Sequence, residues 1–112
     1  MITSTQLTTS GDTLIYQSSG SNAITTVIIC NTGLPDLSDE TVNSASITIN
    51  LTSASPNNVS TPANTIIKDL IIPAGETVFL SEERVVLDNG NQVRATASVE
   101  DLLSITVSSL PV

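Results

Sequence analysis

The sequence has no histidine and no tryptophan, a single cysteine at Cys30, and only two aromatic residues, Tyr16 and Phe79. Each shortage removes a class of function. Without histidine there is no Ser-His or Cys-His pair to activate a nucleophile. One cysteine rules out an intrachain disulfide and any zinc site built from His and Cys. Few aromatics leave no stacking platforms of the kind that sugar sites use. The five glycines are scattered, so no glycine-rich phosphate loop forms. Enzyme activity is not expected, and no cofactor is.

Cations are equally scarce. Three basic residues stand against 11 acidic ones, for a net charge of −8. Nucleic-acid binding depends on Lys and Arg neutralising phosphates, so direct contact with nucleic acid is disfavoured. Anionic membrane surfaces are disfavoured on the same ground. The acidic balance favours solubility and suits a cationic partner, although a solvated acidic face is the plainer reading. No apolar run approaches the roughly 18 residues that would span a bilayer. Met1 to Gly11 lacks the basic region and apolar core of a secretory signal. Folding in a reducing cytoplasm is expected.

What is abundant is serine and threonine, with Ile, Val and Leu as the apolar fraction. These residues suit a pleated, half-buried surface. The chain length, 112 residues, predicts one domain spanning 1–112, with a polar N-terminal arm at 1–11. Turn residues recur about every ten positions, as in sandwiches and barrels. The expected strands are Thr13 to Gln17, Ala23 to Cys30, Ser44 to Thr52, Asn64 to Ile72, Glu76 to Leu80, Val85 to Leu87, Gln92 to Val99 and Leu103 to Ser109. Ser44 to Thr52 alternates cleanly, with Ala45, Ile47, Ile49 and Leu51 on one face. Asp88-Asn89-Gly90-Asn91 between two apolar runs predicts a hairpin. Ser81 to Arg84 reads as a helical turn or a loop. The fold class is all-β: an antiparallel β-sandwich of seven to eight strands, immunoglobulin-like or jelly-roll.

Two of these strands break strict alternation. Ala23 to Cys30 puts Ile24, Ile28 and Cys30 on one face and Val27 and Ile29 on the other. Asn64 to Ile72 puts Ile67 and Ile71 on one face and Ile66, Leu70 and Ile72 on the other. A strand apolar on both faces wants cover on both sides. The cover would be a loop of the chain or a neighbouring subunit. For the second case the interface residues are Ile24, Val27, Ile29, Ile67, Ile71 and Phe79. The end segments, Met1 to Ser10 and Leu110 to Val112, are docking candidates.

Other candidate sites are weaker. Asp36, Asp39 and Glu40 place three carboxylates in one loop, where calcium is conceivable, but the spacing fits no calcium loop and a solvated acidic loop is the plain reading. Asn50-Leu51-Thr52 and Asn58-Val59-Ser60 match the glycosylation pattern, as chance matches in so Ser/Thr-rich a chain. Cys30, within an apolar run, is expected to be a small buried hydrophobe. Arg94 is expected to meet Glu82, Glu83 or another acid in a surface ion pair.

Three segments carry a resemblance: AITTVIICNTG from Ala23 to Gly33, PANTIIKDLII from Pro62 to Ile72, and PAGETVFLSEERVVLDNGNQVRATAS from Pro73 to Ser98. Together they resemble small structural proteins of tailed bacteriophage virions, including types from phages of cyanobacteria. The resemblance implies a repeated β-domain without catalytic residues, located in the virion after assembly in the host cytoplasm. It implies a capsid decoration, or cement, protein, with a neck or tail component as the alternative. Partners would be other virion proteins such as the major capsid protein, in a homo-oligomer or multi-copy assembly. A receptor- or glycan-binding adhesion module is the reading from another class, ranked lower because the loop tips are acidic and aliphatic.

Overall fold

A computed structural model describes residues 1–54, 59–80 and 85–112. Their strands are β1 (Ile2–Gln6), β2 (Asp12–Gln17), β3 (Asn22–Asn31), β4 (Ala45–Thr52), β5 (Thr65–Ile72), β6 (Thr77–Leu80), β7 (Val85–Leu87), β8 (Gln92–Ala97) and β9 (Leu103–Pro111). They build two antiparallel sheets, β1-β9-β3-β6 with β7 also on β3, and β2-β8-β4-β5. β6 and β7 pair with successive stretches of the same side of β3, so the nine strands fill eight positions.

The pairing is nested. β1 pairs with β9, β2 with β8, β3 with β6 and β7, and β4 with β5. This is one long hairpin, folded back between β4 and β5 and rolled into two layers, which defines the jelly roll rather than the immunoglobulin order. Two expectations change as a result. Ile2–Gln6, expected as part of a polar arm, is instead an edge strand in register with β9 from Ile2↔Ser108 to Gln6↔Ser104. The Asn89-Gly90 turn does not close a hairpin, because β7 and β8 belong to opposite sheets. It crosses between layers and is fastened to the neighbouring Ser18–Gly20 turn. There the Gly90 and Ser18 amides donate to Ser18 and Asn91 carbonyls, and the Gly20 amide donates to Asn89 Oδ1. Gly90 has φ +87°, and a Cβ on it would lie 2.9 Å from that of Ala54, so glycine is required there.

The broken alternation has a local cause. Opposite β9, β3 carries one additional residue at Thr25, because Ile24 faces Ser109 and Thr26 faces Ser108. Such a bulge reverses the phase of the pleat. Ile24, Val27, Ile29 and Asn31 therefore all turn inward, and Ile28 and Cys30 turn outward. In β5 a first bulge separates Ile67, opposite Ile49, from Leu70, opposite Ile47; a second places two residues, Thr65 and Ile66, against Asn50. Ile67, Leu70 and Ile72 all face the core in consequence, with Asp69 at φ +50°. A fourth bulge, between Leu14 and Tyr16 of β2, lets Ile15 and Tyr16 both be buried.

The core is aliphatic, as the composition requires. Ile24, Ile29, Ile47, Ile49, Ile72, Val93, Leu103, Ile105 and Val107 fill it between the sheets, with Leu7 closing one end. Three buried polar side chains tie its corners. Asn31 Nδ2 donates to the Asn43 and Ile72 carbonyls at 2.8 and 2.9 Å, and its Oδ1 accepts from the Gly33 amide at 2.8 Å. It thereby joins the end of β3 in one sheet to the end of β5 in the other. Ser18 Oγ donates to the Gly20 and Leu87 carbonyls. Asn50 Nδ2 bonds to the Thr61 carbonyl, Asn64 Oδ1 and Thr65 Oγ1. Among the described residues, no buried side-chain polar atom lacks a partner.

Asn31→Ala leaves the buried Ile72 carbonyl, and the part-buried Asn43 carbonyl and Gly33 amide, without this partner. It is expected to cost about 2–4 kcal/mol, read as a lower urea midpoint with an unchanged m-value.

Candidate interaction surface

The two sheets come together on the side of β1 and β2. On the opposite side, where β6, β7 and β5 form the edges, they leave an apolar cleft of about 510 Å³. Its floor is core: Ile24 and Val27 of β3, Ile49 of β4 and Val93 of β8. Ile67 of β5 and Leu80 of β6 line its walls. Ile66 and Phe79 stand at the mouth, 53% and 64% exposed. By the alternation of the strand, Ile66 points outward beside inward-facing Ile67. Phe79 alternates with inward-facing Val78 and Leu80 and lies opposite Ile28. Ile71, 68% exposed, continues the apolar edge of β5 on the outer face.

Of the six residues expected at an interface, Ile24 and Ile29 belong to the chain's own core, at 4% and 0% exposure. The Thr25 bulge turns both inward, and a strand-wide alternation count cannot register it. Val27 and Ile67 are partly buried and pack against the same core. Ile71 and Phe79 are exposed. Ile66, outside the expected interface set, is exposed with them; the run Ile66-Ile67, two consecutive isoleucines, is its signal in the sequence.

The polar candidates resolve into local structure. Asp36 Oδ1 accepts from the Ser38 amide and hydroxyl at 2.8 and 2.7 Å, and Asp39 Oδ1 accepts from the Thr41 amide and hydroxyl at 3.0 and 2.7 Å. These are side-chain caps of successive turns. Among the described residues, no group of three His, Cys, Asp or Glu is placed to hold a metal ion. Asn50, in the first glycosylation match, is 4% exposed with its amide engaged; the second match begins at Asn58, outside the described residues. Cys30 is half-buried on the outer face rather than in the core. Arg94 Nε meets Asp12 Oδ2 at 3.0 Å, and its Nη1 donates to Gln92. Its other expected partners, Glu82 and Glu83, lie outside the described residues, as does the helical turn or loop expected at Ser81 to Arg84. No described helix is long and apolar enough to cross a membrane.

No protein-family model matches the chain, and no curated protein gives a significant match.

Two predictions separate these features. Ile29→Ala is expected to cost about 2–5 kcal/mol, whereas Phe79→Ala costs under about 1 kcal/mol, both by chemical denaturation. Hydrogen bonds from the Ser38 and Thr41 hydroxyls, then from their amides, hold Asp36 and Asp39 below the ordinary value of 3.8. Because the folded values are depressed, the turns are favoured above about pH 4 and lose that support as pH falls through the depressed values. In an NMR titration, the Ser38 and Thr41 amide signals shift with that acid limb while signals from the middle of β3, a strand without carboxylates, stay in place.

Proposed function

We propose that this chain is a virion structural protein, a capsid decoration subunit that stabilises the particle by packing β-domains against its neighbours. The observation that carries the reading is the nested strand order. The jelly roll is used by capsid subunits, and also by lectins and cupins, so the order alone is an analogy of fold. The side chains narrow it. A chain without histidine, with one cysteine and two aromatics, offers little to catalysis or to a sugar platform. It does present apolar side chains on the cleft side of the sandwich, at Ile66 and Ile71 of β5 and Phe79 of β6. Apolar side chains in a rim of this kind are the usual anchors of protein contacts.

The partner under this reading is another virion protein, such as the major capsid protein, with many copies per particle. The net charge of −8 suits a cationic patch on that partner and keeps the free subunit soluble. The test is reconstitution on particles that lack this chain, read by co-sedimentation and by a density map. Saturable binding to the capsid shell is expected, weakened at least tenfold by Ile66→Asp with Phe79→Asp while the β-sheet spectrum is retained. Density at the neck or tail instead would reassign the position. A folded chain that binds neither shell nor tail sinks the proposal.

A further inference from the structure

The four sheet edges are not alike. β5 is broken by two bulges and carries Lys68 and Asp69. β2 has a bulge and begins at Asp12. The edge opposite β1 in its own sheet is divided into two short strands, β6 and β7. These are the ordinary devices that stop a sheet from growing. β1 has none of them: Ile-Thr-Ser-Thr-Gln is regular, uncharged and free of proline.

Its hydrogen bonding shows what it offers. The Ser109 amide donates to the Met1 carbonyl and the Leu7 amide to the Leu103 carbonyl. In an antiparallel ladder bonded and non-bonded pairs alternate. Residues 1, 3, 5 and 7 therefore bond to β9, and Ile2, Ser4 and Gln6 turn their amides and carbonyls to the open edge. That is three donors and three acceptors in a row, spaced to receive one more strand.

We propose that the strand received is β1 of a second copy of this chain, antiparallel, with Ser4 opposite Ser4 across a two-fold axis. Of the registers that match outward-facing residues, this one alone engages all three. Ser4 pairs with its counterpart, and Ile2 and Gln6 pair reciprocally, giving six backbone bonds. The pairing joins the five-stranded sheets of two copies into one continuous sheet. No charged side chain enters the seam, so repulsion between two chains of net charge −8 acts at longer range and is relieved by salt. A strand pair this short buries less than the roughly 1,000 Å² of a stable free dimer. The contact is therefore weak in dilute solution and becomes populated where copies are held close together. It deepens the assembly reading by naming one partner, but it uses a different edge from the Ile66 and Phe79 rim.

The test is register-specific disulfide trapping in a Cys30→Ser background, in high salt with oxidised glutathione. Across a bonded antiparallel pair the Cα atoms lie about 5.5 Å apart, within disulfide reach. Ser4→Cys chains are expected to cross-link to each other at least tenfold faster than Ile2→Cys chains or Gln6→Cys chains do. In the proposed register, like residues at 2 or 6 have Cα atoms about 14 Å apart. A mixture of Ile2→Cys and Gln6→Cys chains is expected to form the mixed 2–6 product, and adding Ser4→Pro to both abolishes it by removing an outward amide. Equal trapping at 4–4, 2–2 and 6–6, or no trapping above that of the Cys30→Ser chain, overturns the pairing. Neither result depends on capsids, so failure here is distinguishable from failure of the decoration role.

Discussion

The constraint on which the structure depends is the two-residue period of the pleat, and the means of escaping it is the bulge. A sandwich buries one face of each strand, so an aliphatic residue of the wrong parity would be left in water. Three strands of this chain carry aliphatic residues of both parities. In each, an inserted residue reverses the phase. Thr25 brings Ile24 onto the same face as Val27 and Ile29. The bulge around Lys68 and Asp69 brings Ile67 onto the same face as Leu70. The irregularity at Ile15 lets it be buried together with Tyr16. With two aromatics and no disulfide, the domain cannot forgo these aliphatic side chains.

That finding alters the argument for partners. Much of the two-faced apolarity that called for cover, by a loop or by a neighbouring subunit, is satisfied within the chain's own core. The remainder is smaller and better placed: Ile66 and Phe79 at the mouth of a cleft, and Ile71 along the same edge. The bulges both fill the core and blunt β5 against strand addition. That edge is thus suited to side-chain contacts, while β1, at the far side of the other sheet, is suited to backbone pairing. Under the proposed assembly role, the two edges would meet two kinds of neighbour.

The buried polar corners serve the same economy. Asn31 and Ser18 each satisfy backbone groups where the rolled hairpin turns from one sheet to the other, and Asn50 holds the 59–65 segment against β4. In a fold whose partners are mostly distant in sequence, these bonds determine where each crossing occurs. The Asn89-Gly90 turn illustrates the point. Its local chemistry suits a hairpin, yet the strands it joins find better burial in opposite sheets, and Ser18 and Asn89 hold the crossing in place.

By itself, the sequence determined the class, most of the strand positions and the aliphatic character of the core. β-branched residues, period-2 runs such as Ala45 to Thr52, and regularly spaced turns are local properties. The lack of histidine and of paired cysteine was also legible at once, because it needs no coordinates. Tertiary structure alone decided the nested pairing, the membership of Ile2–Gln6 in a sheet, and the inward turn of Ile24 and Ile29. Each of these is set by which distant strand lies opposite. A bulge is defined by its partner strand, and an edge by the strand that is missing from it. A bulge marks the local pattern only as broken alternation, which an outer face covered by another element would also produce, and an open edge leaves no mark in it at all.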